Sequence, residues 1–199
     1  MNRINTKEAI AYLSYLKGYI LFVSLIFVLS ILMGYWYFSL DMAFATQTSA
    51  DISEMFAILE SLHPLIIMVI IFLNNSIKCL IVLLLGIGFG LVPLVFLTYN
   101  GFLIGVVVLM TERIEGTLYV LAAIVPHGII ELPMVLLSAA IGIRLGHDLW
   151  SALMGKKADI KKDFKKGMLF YMHWILPLLF LAAAVETFLT PLIVIMVIG

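Results

Sequence analysis

Three ionisable residues stand in sequence too apolar to solvate them. His127 and Glu131 lie in Pro126-His127-Gly128-Ile129-Ile130-Glu131-Leu132-Pro133, and Glu186 follows Ala182-Ala183-Ala184-Val185 and precedes Thr190-Pro191. On a helix His127 and Glu131, four apart, share one face. An imidazole and two carboxylates are ligands that zinc accepts. No HExxH pattern accompanies them, so their spacing by itself selects no metal. The competing account is an internal hydrogen-bond network, with His127 and Glu131 pinning a helix interrupted at Pro126 and Pro133. Both accounts require the three side chains to meet near the breaks at Pro126 and Pro191. An ionisable group facing lipid at a helix centre costs on the order of 3 kcal/mol or more. Asn75 and Asn100 are the supporting amides expected at this interior polar site.

The elements that must position them are membrane spans. Of 199 residues, 64% are apolar and 12% charged, against about half and a quarter in an ordinary soluble domain. Twelve Lys and Arg balance twelve Asp and Glu, which points to no nucleic-acid partner. The single cysteine, Cys79, excludes an internal disulfide and a cysteine-based zinc finger; in an apolar span it is expected to be inert. The fold class is therefore an all-α integral membrane bundle in one domain over 1–199, with some helices broken or re-entrant.

Five crossings account for the chain. Gly18 to Tyr37 runs twenty residues without a charge and exits through Tyr35-Trp36-Tyr37, rings that prefer the headgroup boundary. That bulky exit argues for a retained span rather than a cleaved signal. Residues 38–63 hold four acids and no Lys or Arg, so this loop is expected outside. Within it, Ile52, Met55, Phe56, Leu59 and Leu62 recur at helical spacing behind Asp51, as in a short surface helix ended by His63-Pro64. From Leu65 to Met110 the one charge is Lys78. There a span is expected near 76–97, a turn at Tyr99-Asn100-Gly101, and a short return span to about 111. Residues 65–73 either extend the second span or dip in as a half-helix. The charged turn Thr111 to Thr117 is placed outside, followed by a span from Leu118 to about Gly142, broken at Pro126. Met168 to Val185, with Pro177 inside, makes the fifth, and a stub follows Thr190-Pro191.

Lys156, Lys157, Lys161, Lys162, Lys165 and Lys166 mark 144–167 as cytoplasmic. With Ile160, Phe164 and Met168 at helical spacing, the same lysines read as an amphipathic segment on anionic headgroups. The N-terminus is then cytoplasmic and the C-terminus extracytoplasmic. His173, before Trp174, is expected at the interface. Gly86–Gly90 and Gly101–Gly105 are both G-x-x-x-G, spacings that permit close helix crossings. Asn74, Asn75 and Asn100 are suited to satisfying backbone freed at kinks.

The order Phe72-Leu73-Asn74-Asn75-Ser76, Gly86-Ile87-Gly88-Phe89-Gly90, Asn100-Gly101 with Gly105, Pro126-His127-Gly128 with Glu131, then Glu186 before Thr190-Pro191 resembles the stage II sporulation protein M family over roughly 66–191. The resemblance implies a multi-pass plasma-membrane protein. In spore-forming bacteria the family member belongs to a membrane complex with cell-wall hydrolases, and relatives occur in archaea and in bacteria that form no spores. It carries over no catalytic residue.

Three functions stay open from sequence. One is a non-enzymatic scaffold, working with other membrane proteins or as a homo-oligomer. The second is an intramembrane zinc hydrolase using His127, Glu131 and Glu186. The third is a channel or transporter whose broken helices line the path.

Overall fold

A computed structural model of the chain describes residues 5–40 and 62–198. All regular structure there is helical: α1 Thr6–Leu40, α2 Pro64–Leu85, α3 Leu91–Glu115, α4 Thr117–Leu153, and a last long helix in five pieces. Those pieces are α5 Ile160–Phe170, a π turn Tyr171–Ile175, α6 Leu176–Ala184, a second π turn Val185–Leu189, and α7 Thr190–Ile198. Among the described residues five helices are long and apolar enough to cross a membrane. Only 17–28% of each apolar stretch is fully buried within the bundle, and the many large apolar side chains left exposed suit a membrane-embedded protein.

Local chemistry sets the ends. Asn5 accepts from the Glu8 amide at 2.9 Å while Glu8 accepts from the Asn5 amide at 3.0 Å, a reciprocal cap that starts α1. Pro64 opens α2, where its missing N–H is no loss, and the His63 ring accepts from the Leu65 amide. The surface helix expected behind Asp51 and ended by His63-Pro64 lies, up to residue 61, outside the described residues.

The turn expected at Tyr99-Asn100-Gly101 is instead mid-helix in α3, and the chain reverses at Gly86–Gly90. Phe89 and Gly90 adopt φ of 59° and 72°, which α-helix cannot absorb. Asn100 turns its amide inward, donating to the Phe96 carbonyl at 2.8 Å. The span expected over 76–97 is therefore two helices, and residues 65–73 form the first half of α2. The charged turn narrows to Gly116 alone, at φ 88°. There Glu112 accepts from Thr117 and from Tyr35, both at 2.8 Å, tying the starts and ends of α1, α3 and α4 together.

Pro126 and Pro133 do not break their helix: α4 runs unbroken through both. Neighbouring helices supply the packing that tolerates such prolines in a membrane. The interruptions fall in the last helix, each ending two residues before a proline, Pro177 or Pro191.

α4 touches every other span. Its approach to α2 is backbone against backbone: a Cβ on Gly86 would meet the Gly142 Cα at 2.2 Å, and one on Gly146 the Gly90 nitrogen at 2.3 Å. α1 and α3 close in the same way, with Gly34 against the Phe102 carbonyl and Gly105 against that of Ile31. Leu16, Leu83, Ile141, Leu145, Ile175 and Leu179 fill the space between. Close contact of this kind replaces the hydrophobic drive that lipid removes. Gly105→Ala should therefore lower the thermal midpoint of detergent-solubilised protein, at a cost of about 1–3 kcal/mol for overpacking. Gly18→Ala, with nothing within 4 Å of its Cβ, should not lower the midpoint, and as the better helix former should if anything raise it.

Candidate metal centre

His127 and Glu131 project from one face of α4, one turn apart. Glu186 reaches them from the second π turn of the last helix. One ligand atom from each residue lies within 4.8 Å of those of the other two. Each of the three is half-buried. Ligands of a tetrahedral zinc ion stand roughly 3.4 Å apart, so small side-chain rotations close the set around an ion. His127 Nδ1 is buried and has no hydrogen-bond partner, leaving its ring free to ligate. The charge also fits: two carboxylates and a neutral imidazole carry −2, which a divalent cation cancels where uncompensated charge is costly. Three protein ligands leave a coordination position open, as in catalytic rather than structural zinc sites.

The supporting amides divide. α2 and α4 run in the same direction, and the register set at Gly86–Gly142, carried back three turns, places Asn75 level with Glu131. Asn75 is half-buried and accepts from Asn74 at 3.3 Å. Asn100 is engaged with Phe96 inside α3 instead, because an amide in an apolar helix interior bonds back to the carbonyl four residues earlier, which it shares with the helix ladder. Lys78 stands within electrostatic reach of Glu131 from the exposed side of α2. His173 sits in the first π turn, half-buried, its Nδ1 2.8 Å from the Leu169 carbonyl. Cys79 is fully buried beside α4 and α6.

A second polar cluster was not legible as a cluster. Arg144 forks to Asp148 at 2.8 Å on its own helix and to Asp163 at 3.1 Å on α5. Tyr15 donates to Asp163 at 2.8 Å, Arg144 donates to the Tyr19 hydroxyl at 3.2 Å, and Tyr19 meets His147. The guanidinium lies over the Tyr15 ring, 5.0 Å from its centroid. Asp148 is 2% exposed. The available signal was Arg144 and Asp148 four apart, ending an apolar run, the spacing of a helical ion pair. Asp163 is thus drawn inward, while Asp159 caps α5 by accepting from the Lys162 amide at 3.1 Å. Lys156, Lys157, Lys161, Lys162, Lys165 and Lys166 are all exposed.

Fold and site together define a multi-pass helical membrane protein with a His–Glu–Glu set in its interior. The family model for stage II sporulation protein M matches residues 23–191, and the chain belongs to that family. The match reaches back into α1, well before residue 66, where the motif resemblance begins. Among curated proteins, the uncharacterised protein MJ0706 of Methanocaldococcus jannaschii is 31% identical over 172 residues, covering 83% of this chain and 75% of the relative. The uncharacterised protein MJ0793 of the same archaeon is 31% identical over 127 residues, covering 60% of this chain and 68% of its own length. No solved structure matches.

The Arg144 clamp joins α1, α4 and α5, and removing its cation leaves Asp148 buried and unpaired. Arg144→Met should lower the thermal midpoint by the equivalent of about 3 kcal/mol, the usual cost of stranding one partner of a buried pair. Adding Asp148→Leu to that variant should recover part of the loss; an unchanged midpoint in the single variant would refute the clamp.

Proposed function

We propose that this protein is a membrane-embedded divalent-metal protein, with the ion held by His127, Glu131 and Glu186. The observation that carries the reading is the convergence of the three ligand atoms within 4.8 Å of one another, from two different helices. A metal with an open position lowers the pKa of a bound water and makes it a nucleophile, so hydrolysis is the chemistry this ligand set suits. The rest is the chain's own work. α4 holds two ligands in fixed spacing, the last helix brings the third, and surrounding apolar side chains exclude bulk water.

The experiment is elemental analysis of protein purified in detergent, washed with chelator and reloaded with zinc. The expected result is about one zinc per chain, with the open three-ligand geometry of a catalytic site. His127→Ala and Glu186→Gln should each weaken zinc binding at least tenfold while the protein elutes unchanged by size. A wild-type protein without zinc overturns the metal reading.

A scaffold of a membrane complex is the second reading. It is favoured by one observation: between residues 62 and 198 the helices are joined only by short turns, at 86–90, at 116 and over 154–159, with no soluble domain. In this reading partners, or a second copy, dock through the exposed helix faces. For the transport reading, the breaks expected at Pro126 and Pro133 are absent from α4, and the interruptions lie in the last helix instead.

For either reading the orientation follows the lysines, N-terminus cytoplasmic and C-terminus extracytoplasmic, and family membership supports the plasma membrane as the site. The lysine face of α5 then rests on anionic headgroups of the inner leaflet. Glu115→Cys should be labelled in intact cells by an impermeant thiol reagent, and Lys161→Cys only after lysis. The reverse pattern would invert the topology.

A further inference from the structure

We infer that Thr190 and Pro191 are positioning residues that hold the π turn from which Glu186 reaches His127 and Glu131. The inference rests on the metal reading for its purpose, but its geometry stands on separate observations.

In a regular α-helix the Val185 carbonyl would accept from Leu189. Here it accepts from the Thr190 amide, one residue further on, and from the Thr190 hydroxyl at 3.2 Å. Thr190 therefore places two donors on one carbonyl and fixes the wider register. Pro191 makes that register inexpensive. It has no N–H to give to Thr187, and its ring crowds the carbonyl four residues back, so the tight turn is disfavoured there. The same arrangement occurs earlier in the helix, where the Leu176 amide reaches the Tyr171 carbonyl immediately before Pro177. Only the later turn adds a side-chain hydroxyl, and only the later turn carries a member of the His–Glu–Glu set. π turns recur at functional sites for this reason: they redirect side chains without ending the helix.

The flanks of the turn are fixed. Ala182 and Ala183 before it, and Thr190 after it, are buried, and α7 packs along α4. With both flanks held, the wide turn sets the direction of the residues between, Glu186 included. Phe188 and Leu189 in the same turn face outward, 46% and 47% exposed. Closing the turn to α-geometry shifts the helical phase by about 100° and must re-aim that segment.

The test uses Thr190→Val with Pro191→Ala, which removes the extra donor and restores a backbone N–H, and Thr190→Ser as the conservative control. Two readouts are taken on full-length protein in detergent. The first is cobalt(II) affinity by absorption titration. The second needs no native metal. His127→Cys with Glu186→Cys, in a Cys79→Ala background, is challenged with mercuric ion, and the bridged species is scored by intact mass. We expect the double variant to lose cobalt affinity by roughly 10–100-fold, the usual effect of misplacing a ligand's support, and to lose mercury bridging. Its thermal midpoint should be retained, and Thr190→Ser should behave as wild type. If the wild type binds no cobalt but bridging still depends on Thr190 and Pro191, the metal reading fails and the positioning role stands. If bridging persists in the double variant, the positioning role is overturned.

Discussion

The bundle depends on one contact, the passage of α2 and α4 with backbone on backbone at Gly86 and Gly142. No Cβ fits there, since one on Gly142 would also stand 2.7 Å from the Val82 carbonyl. Two helices that close cannot slide, and the reversal at Gly86–Gly90 then fixes where α3 must begin. The Pro93 ring stands at the same place, its Cγ 3.0 Å from where a Cβ on Gly142 would be, so three spans share one junction. In lipid, where burying an apolar side chain gains little over leaving it exposed, such shape-specific contacts determine register. The level of Asn75 relative to Glu131 follows from it.

Polar groups obey the complementary constraint. With no water at membrane depth, each must find a partner inside the protein. Two solutions occur. At the lysine-bearing end, Arg144, Asp148, Asp163, Tyr15 and Tyr19 form a network of opposite charges across three helices, with Arg144 Nε and Asp148 Oδ2 left unpartnered. Further along α4, His127, Glu131 and Glu186 converge without closing, and His127 Nδ1 keeps no partner. A network that pairs one cation with two carboxylates explains itself as a clamp. A set of two acids and an imidazole, with no cation among its members, does not, and that difference in charge is what the proposed metal reading rests on.

Composition and the positions of Lys and Arg made the membrane class and the number of spans legible, because those signals are averages over twenty residues. Features carried by single residues were harder to read. Asn100-Gly101 has the chemistry of a turn, yet Gly101 serves close packing against Phe27 and Ser30 of α1. Gly86 and Gly90 were read as packing residues; they do pack, against Gly142 and Gly146, and with Phe89 they also supply the reversal. Asn-Gly and Gly-x-Gly have similar local preferences, and tertiary contact decides between them. Pro126 and Pro133 look like helix breaks and are not, whereas Pro177 and Pro191 widen their helix. The ionisable residues were legible as a group because desolvation forces them together whatever the local geometry. Asp148 escaped notice because it lies just past the apolar run, where a charge passes for solvated.

The two π turns give the last helix a task that an unbroken helix could not perform. Asp163 near its start must face Arg144 on α4, and Glu186 near its end must face His127 and Glu131 on the same helix. At 3.6 residues per turn, their separation of 23 positions leaves the two carboxylates about 140° apart around the helix axis. A π turn takes up one extra residue, so the turn at Tyr171–Ile175 reduces the mismatch to about 40°. Both acids then point to α4. Pro177 is thus tied to the reach of Glu186, although it lies nine residues before it and touches none of the three ligands' chemistry. The clamp and the candidate metal centre are two ends of one helix whose phase is corrected between them.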